Sequence, residues 1–147
     1  MWSTLLTLSL TLSAAFSLVA CSQGEDAKKA SKSGKSYALS ITPPPAGKVG
    51  QSFAASVALK PLGEYKINME YPLRLTVKGP KTVTPREVVM RAKDAKKMTK
   101  AEVLLVPKAK ITVAGEHAFE AEFRFSVCTE KHCELKTEKL TWKVKVQ

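Results

Sequence analysis

Along most of the chain, apolar and polar positions alternate with a period of two. Phe53, Ala55, Val57 and Leu59 are interleaved with small or polar residues. Leu73, Leu75 and Val77 alternate with Arg74, Thr76 and Lys78. Phe119, Ala121, Phe123, Phe125 and Val127 alternate with Glu120, Glu122, Arg124 and Ser126, and Leu140, Trp142, Val144 and Val146 with Thr141, Lys143 and Lys145. Such a repeat is the pattern of a strand with one face on a core. Shorter runs at residues 37–42, 86–91 and 101–106 supply further strands. Pro43-Pro44-Pro45, Gly47, Gly50, Pro61, Gly63, Gly79-Pro80, Pro107 and Gly115 punctuate the runs, as turn residues do. Residues 91–100 are Lys-rich with little apolar face and read as a loop. About seven strands and no convincing amphipathic helix predict an all-β domain, an immunoglobulin-like antiparallel β-sandwich over residues 37–147. Trp142 falls on the apolar face, and His117, after the Gly115 turn, reads as a polar strand-start residue.

The N-terminal region has a different pattern. The first twenty residues carry no charge, and residues 5–20 are apolar but softened by Ser and Thr. This stretch is shorter than the roughly twenty strongly apolar residues a spanning helix needs. It ends in Leu18-Val19-Ala20-Cys21, which resembles the bacterial lipobox. The resemblance implies a lipoprotein signal peptide at 1–20, cleavage before Cys21, and acylation of that cysteine to anchor the chain in a lipid bilayer. The segment before the apolar stretch has no Lys or Arg, a departure from the usual signal, and the competing reading is an uncleaved anchor. Both readings put the domain outside the cytoplasm, facing the periplasm. Ser22, where an inner-membrane retention signal would be Asp, favours the outer membrane by the same resemblance. Residues 22–36 are rich in Ser, Lys, Ala and Gly and read as a flexible tether.

Composition and charge narrow the function classes. With 44% hydrophobic residues among 147, the chain is too apolar for a disordered protein. The net charge of +11 comes almost wholly from Lys and favours anionic partners. The lysines are spread along the chain, without an Arg-rich run or an aromatic interleaving, so no nucleic-acid partner is expected. No Ser/His/Asp set, phosphate-binding Gly loop or paired-carboxylate signature appears, and no cofactor is expected.

The candidate chemistry lies in two cysteines. With Cys21 taken by lipid, Cys128 and Cys133 form an even pair, a disulfide candidate in an oxidising compartment. They flank Thr129-Glu130-Lys131-His132, between two strong strand patterns. A bond closing so short a loop contributes only about 2 kcal/mol by chain entropy. An accessible bond that is a weak staple is a candidate for reversible exchange. Lys131 and His132 would favour a thiolate there, while Glu130 and Glu134 oppose it. Two other readings stand beside this one. The bond is an inert pin in a binding or structural lipoprotein, or Cys128, His132 and Cys133, with Met69 or Met90, ligate a soft metal.

The residues around this pair resemble the N-terminal periplasmic domain of the DsbD family of thiol:disulfide interchange proteins. Ala114-Gly115-Glu116 precedes the alternating strand into Cys128, and Lys136-Thr137-Glu138-Lys139 follows Cys133. Upstream, Gly63-Glu64-Tyr65-Lys66-Ile67-Asn68 is similar to the family's Gly-Tyr-Tyr segment. The resemblance implies an immunoglobulin-like fold and a redox pair, Cys128 and Cys133, acting on thioredoxin-like periplasmic proteins. It also implies Tyr65 and Tyr71 as groups shielding the sulfurs, whose plain alternative is aromatic packing at a sandwich end. The sequence departs from the family in its C-x4-C spacing, one residue shorter than usual, and in Glu134-Leu135-Lys136 where the family has Tyr-Pro-Pro. It also carries neither a multi-helix membrane domain nor a thioredoxin-like domain, so an exchange role requires a separate reductant.

Overall fold

The computed structural model describes residues 30–147. The apolar leader, Cys21 and the first part of the tether lie outside the described residues. Among the described residues, no helix is long and apolar enough to cross a membrane.

The strands are β1 (Ala30–Ser33), β2 (Tyr37–Thr42), β3 (Ser52–Ala54), β4 (Ser56–Pro61), β5 (Lys66–Ile67), β6 (Arg74–Lys78), β7 (Val83–Thr84), β8 (Glu87–Arg91), β9 (Lys97–Met98), β10 (Val103–Leu105), β11 (Lys108–Ile111), β12 (Gly115–Cys128) and β13 (Cys133–Val146). One sheet has the order β1-β2-β4-β10-β9. A second has the order β13-β12-β6-β8, with β5 also paired to β12, and β3-β11-β7 makes a small third sheet. All the strand pairs are antiparallel. The protein is an all-β, immunoglobulin-like sandwich, as the alternation predicts.

The core forms where the apolar faces meet. Leu39, Ile41, Val57, Leu59, Val103 and Leu105 come from the first sheet, and Leu75, Phe123, Phe125, Val127 and Trp142 from the second. Each such side chain stabilises the fold by roughly 1.5–3 kcal/mol when fully buried. Tyr37 meets Phe125 edge-on across the sandwich, with ring centroids 4.9 Å apart, while Phe119 and Trp142 stack at 5.4 Å. Gly47 is required by close approach: a Cβ there would lie 2.7 Å from the Phe53 ring.

Each predicted run contains a strand, but the described residues form thirteen strands rather than about seven, with β5, β7 and β11 outside every predicted run, and four further details differ. The run through Phe53 and Leu59 breaks at Ala55, whose N–H leaves the ladder to donate to Pro107 C=O at 3.1 Å. Residues 30–36, read as the end of a flexible tether, belong to the folded domain, because β1 pairs with β2 from Ala30↔Ile41 to Ser33↔Ala38. The 91–100 stretch holds a 3-10 turn at Ala92–Asp94 and the short strand β9. His117 lies within β12 and is buried. Its Nε2–H donates to Val113 C=O at 2.7 Å, so its Nδ1 accepts from the Thr82 hydroxyl at 2.9 Å in the neutral ring.

Candidate functional site

The longest hairpin ends at the cysteines. β12 and β13 pair continuously from Gly115↔Val146 to Cys128↔Cys133. The last pair is joined by a disulfide with S–S 2.01 Å and Cα–Cα 4.0 Å. Beyond it, Thr129 N–H donates to His132 C=O at 2.9 Å. Hydrogen-bonded and non-hydrogen-bonded pairs alternate in an antiparallel ladder, so the cysteines occupy a non-hydrogen-bonded pair, where opposite Cα atoms come closest. The Thr129 hydroxyl accepts the Lys131 and His132 backbone N–H groups at 3.2 and 3.3 Å and so closes the connection.

The two sulfurs differ in setting. β13 is the outer strand of its sheet, and Cys133 is exposed. Cys128 is half-buried, because Lys66 of β5 pairs with it on its other side. The Ser126 hydroxyl lies 3.9 Å from Cys128 Sγ. Side chains alternate across a sheet, so Ser126, Cys128 and Arg124 share the outer face while Val127 and Phe125 point into the core.

Tyr65 reaches this end of the sandwich from a tight turn. Its N–H donates to Leu62 C=O at 3.1 Å, and Gly63 takes φ +59°, a left-handed conformation that glycine adopts without a Cβ penalty. Leu62 N–H donates in turn to Ser36 C=O at 3.0 Å, tying the turn to the end of β1 and β2. The Tyr65 hydroxyl donates to Glu134 Oε1 at 2.7 Å and lies 3.1 Å from His132 Nε2. The Tyr65 and His132 rings meet edge-on at 5.8 Å. Tyr65 and the cysteine connection, brought together only by the fold, therefore share one network.

Glu134 is the hub of that network. It receives the Lys136 ammonium at 2.9 Å, the Tyr65 hydroxyl, and the Ser36 hydroxyl at 2.8 Å. These donors, Lys136 first, hold its carboxyl down at about 2. The Tyr65 phenol is raised in return, chiefly by that same hydrogen bond. Four residues on, Glu138 accepts the Tyr37 hydroxyl and pairs with Lys32 of β1 at 3.2 Å. Burial, then Glu138, push the Tyr37 phenol up to about 12. Glu134 and Lys136, absent from the sequence-based site as structural partners, were signalled by phase. With Glu138 they continue the inward positions of Leu140, Trp142, Val144 and Val146, so polar groups occupy core-side positions at one end of the sandwich.

An open groove beside the disulfide is lined by residues that include Lys35, Tyr65, Lys66, Met69, Lys100 and His132. Leu62 and Met69 in this groove and Leu135 beside the hairpin end are exposed apolar side chains. Tyr71 is placed differently. It lines a second groove with Arg74, Arg91, Lys93 and Arg124, and is not among the residues lining the cysteine groove. Met69 lies at the cysteine groove, whereas Met90 packs against the core. With the two Sγ atoms bonded to each other, they are not metal ligands in this state. Among the described residues, no group of three or more His, Cys, Asp or Glu side chains could hold a metal ion.

No protein-family model matches the chain, and no curated protein matches it in sequence. Solved β domains resemble it in shape. The GAE domain of GGA2p from Saccharomyces cerevisiae aligns with TM-score 0.47 and 8% identity, covering 78% of this chain and 96% of that one. A CARDB domain from Pyrococcus furiosus, solved with di-metal ions, aligns with TM-score 0.44 and 17% identity over 78% of this chain and 97% of its own. AggA, the major subunit of an Escherichia coli aggregative adherence fimbria, aligns with TM-score 0.38 and 10% identity over 76% of this chain and 95% of its own. At these identities the likeness is one of fold alone, and function has to be argued from the site.

Proposed function

We propose that the protein is a cell-envelope lipoprotein, acylated at Cys21 and facing the periplasm, whose Cys128–Cys133 bond exchanges with thioredoxin-like periplasmic proteins. The outer membrane is the favoured location. The observation that carries the reading is the asymmetry of the disulfide: an exposed Cys133 on an outer strand is bonded to a half-buried Cys128 beside the Ser126 hydroxyl. A partner thiolate attacks Cys133 Sγ, forms a mixed disulfide, and displaces Cys128 as a thiolate able to accept the Ser126 hydroxyl proton in a hydrogen bond. The partner's second thiolate then attacks its own sulfur in the mixed disulfide and releases Cys133. The partner dithiol is oxidised to a disulfide, the Cys128–Cys133 pair is reduced by the same two electrons, and the two protons pass to its thiolates.

The entry of the chain supports this arrangement. β1 starts opposite Ile41 and runs toward the cysteine end, where Lys35 lines the groove and Ser36 donates to Glu134. A tether joined at Ala30 therefore meets the domain away from the hairpin tip, leaving the disulfide free to face partners.

The test is the reduction potential of the pair, together with trapping. A potential of about −120 to −270 mV and mixed disulfides captured through Cys133 in Cys128→Ser are the expected results. A potential below about −300 mV, with no capture by Cys128→Ser or Cys133→Ser, would replace this reading with an inert pin in a binding or structural lipoprotein.

A further inference from the structure

The chain has 24 basic residues, of which only Arg74, Arg86, Arg91 and Arg124 are arginines. Three of these four stand in one cross-strand row. Arg124 of β12 is directly opposite Arg74 of β6, and Arg74 is directly opposite Arg91 of β8. Opposed residues share a face, and all three side chains are exposed on the outer face of the sheet, opposite the buried Leu75 and Phe123 side. Neighbouring strands lie about 4.8 Å apart, so the row spans about 10 Å.

Like charges placed directly opposite each other destabilise a sheet, and here two such pairs are consecutive. The arrangement is poorly relieved from within. Arg124 pairs with Glu122 at 2.8 Å, but Arg74 and Arg91 have no ion pair among the described residues. Asp94 accepts the Arg91 backbone N–H at 2.9 Å, and Glu120 and Glu122 line a neighbouring groove with Arg74 and Arg124 without an ion pair to Arg74. The three guanidinium groups, with Lys93 and the Tyr71 ring, line one groove of about 500 Å³ whose lining includes no carboxylate. Guanidinium groups present planar forks that match phosphate oxygens two at a time, which a row of lysines would not.

We infer that the Arg124–Arg74–Arg91 row is a binding site for a multiply charged phosphate group, lying on the same outer face as the disulfide and acting independently of it. The row's length suits a ligand with several phosphate oxyanions in line better than a single small anion. Arg74, flanked by arginines on both sides, makes the central contact, and Lys93 extends the positive charge at the β8 end.

The test is calorimetric titration of the full chain, held in neutral detergent, with two probes at low ionic strength. One is inorganic tripolyphosphate; the other is a short-chain phosphatidic acid kept below its micellar concentration. Saturable binding is expected, weakened at least tenfold by Arg74→Gln and little affected by Lys110→Gln, which removes the same charge from β11. Thermal unfolding of Arg74→Gln guards against misfolding, and its midpoint is expected to stay level or rise as the like-charge contact is relieved. Arg74-dependent binding of tripolyphosphate supports the site with a free phosphate as its source. Arg74-dependent binding of the lipid alone supports it with a headgroup as the source. Binding of neither probe, or equal weakening by Arg74→Gln and Lys110→Gln, would overturn the inference.

Discussion

The Tyr65 hydroxyl donates to the Glu134 carboxylate at 2.7 Å, joining the turn after β4 to the residue that follows Cys133. The same hydroxyl lies 3.1 Å from His132 Nε2, on the other side of that cysteine. One tyrosine thus holds both sequence neighbours of the exposed sulfur. Tyr65→Phe keeps the ring against His132 but removes the donor, and is expected to raise the Glu134 carboxyl from about 2 toward its ordinary range. Carbon NMR titration of the Glu134 carboxyl measures this. If the ring shields the sulfurs, dithiothreitol should reduce the disulfide a few-fold faster in Tyr65→Ala than in Tyr65→Phe. Equal rates in both variants and the native protein would remove Tyr65 from the shielding role.

Acid should weaken the fold through the same residue. Glu134 has its carboxyl lowered from 4.5 to about 2, and Glu138 is lowered as well, chiefly by Tyr37. A lowered carboxyl contributes its stability in full above the unfolded value and loses it as pH falls through the folded one. Stability is therefore expected to decline as pH drops from 4.5 toward 2. Glu134→Gln should be less stable than the native protein at neutral pH and show a shallower decline over that window. Urea midpoints measured across the range check both points, and parallel slopes would mean that the hub is not coupled to folding.

Phe123 is fully buried and stands in register with Leu75 of β6 and Glu138 of β13. Phe123→Ala removes a ring that touches Phe125, with centroids 5.1 Å apart, and leaves a cavity between the sheets. A loss of about 3–5 kcal/mol is expected from denaturant unfolding. A loss below about 1 kcal/mol would mean that the sandwich collapses around the gap.

These residues also show what the sequence could reveal. The alternation through Phe119–Val127 and Leu140–Val146 identified both faces of the main hairpin, because apolar periodicity reports burial directly. The strand β1, Ala-Ser-Lys-Ser, could not be recognised in this way: it is an edge strand with little burial, and its backbone pairing leaves no trace in side-chain pattern. The Cys128–Cys133 register followed from a short connection between two strong strands. Glu134, Lys136 and Glu138 were visible as charges in core phase, but their partners Ser36, Tyr65, Tyr37 and Lys32 come from distant segments that only the packed sandwich brings near. Tyr65 and Tyr71 look equivalent along the chain, yet they line different grooves because Gly63 turns the first toward the hairpin while the second precedes β6.

The disulfide itself separates a staple from an exchange site by its energetic weight. Cys128 and Cys133 are only five residues apart in sequence, so the covalent bond removes little freedom from the unfolded chain. Chain entropy for so short a loop sets its contribution at about 2 kcal/mol. The double variant Cys128→Ser/Cys133→Ser is therefore expected to lose at most about 2 kcal/mol, with an unchanged dependence on denaturant. Reducing the native protein should have the same small effect, because both forms keep the ladder and the Tyr65–Glu134 network. Under that outcome the pair can cycle between oxidised and reduced states without unfolding the domain, as electron exchange requires. A loss of about 4 kcal/mol or more would mean that the hairpin end depends on the bond, and a protein that unfolds on reduction could not serve as a reversible carrier.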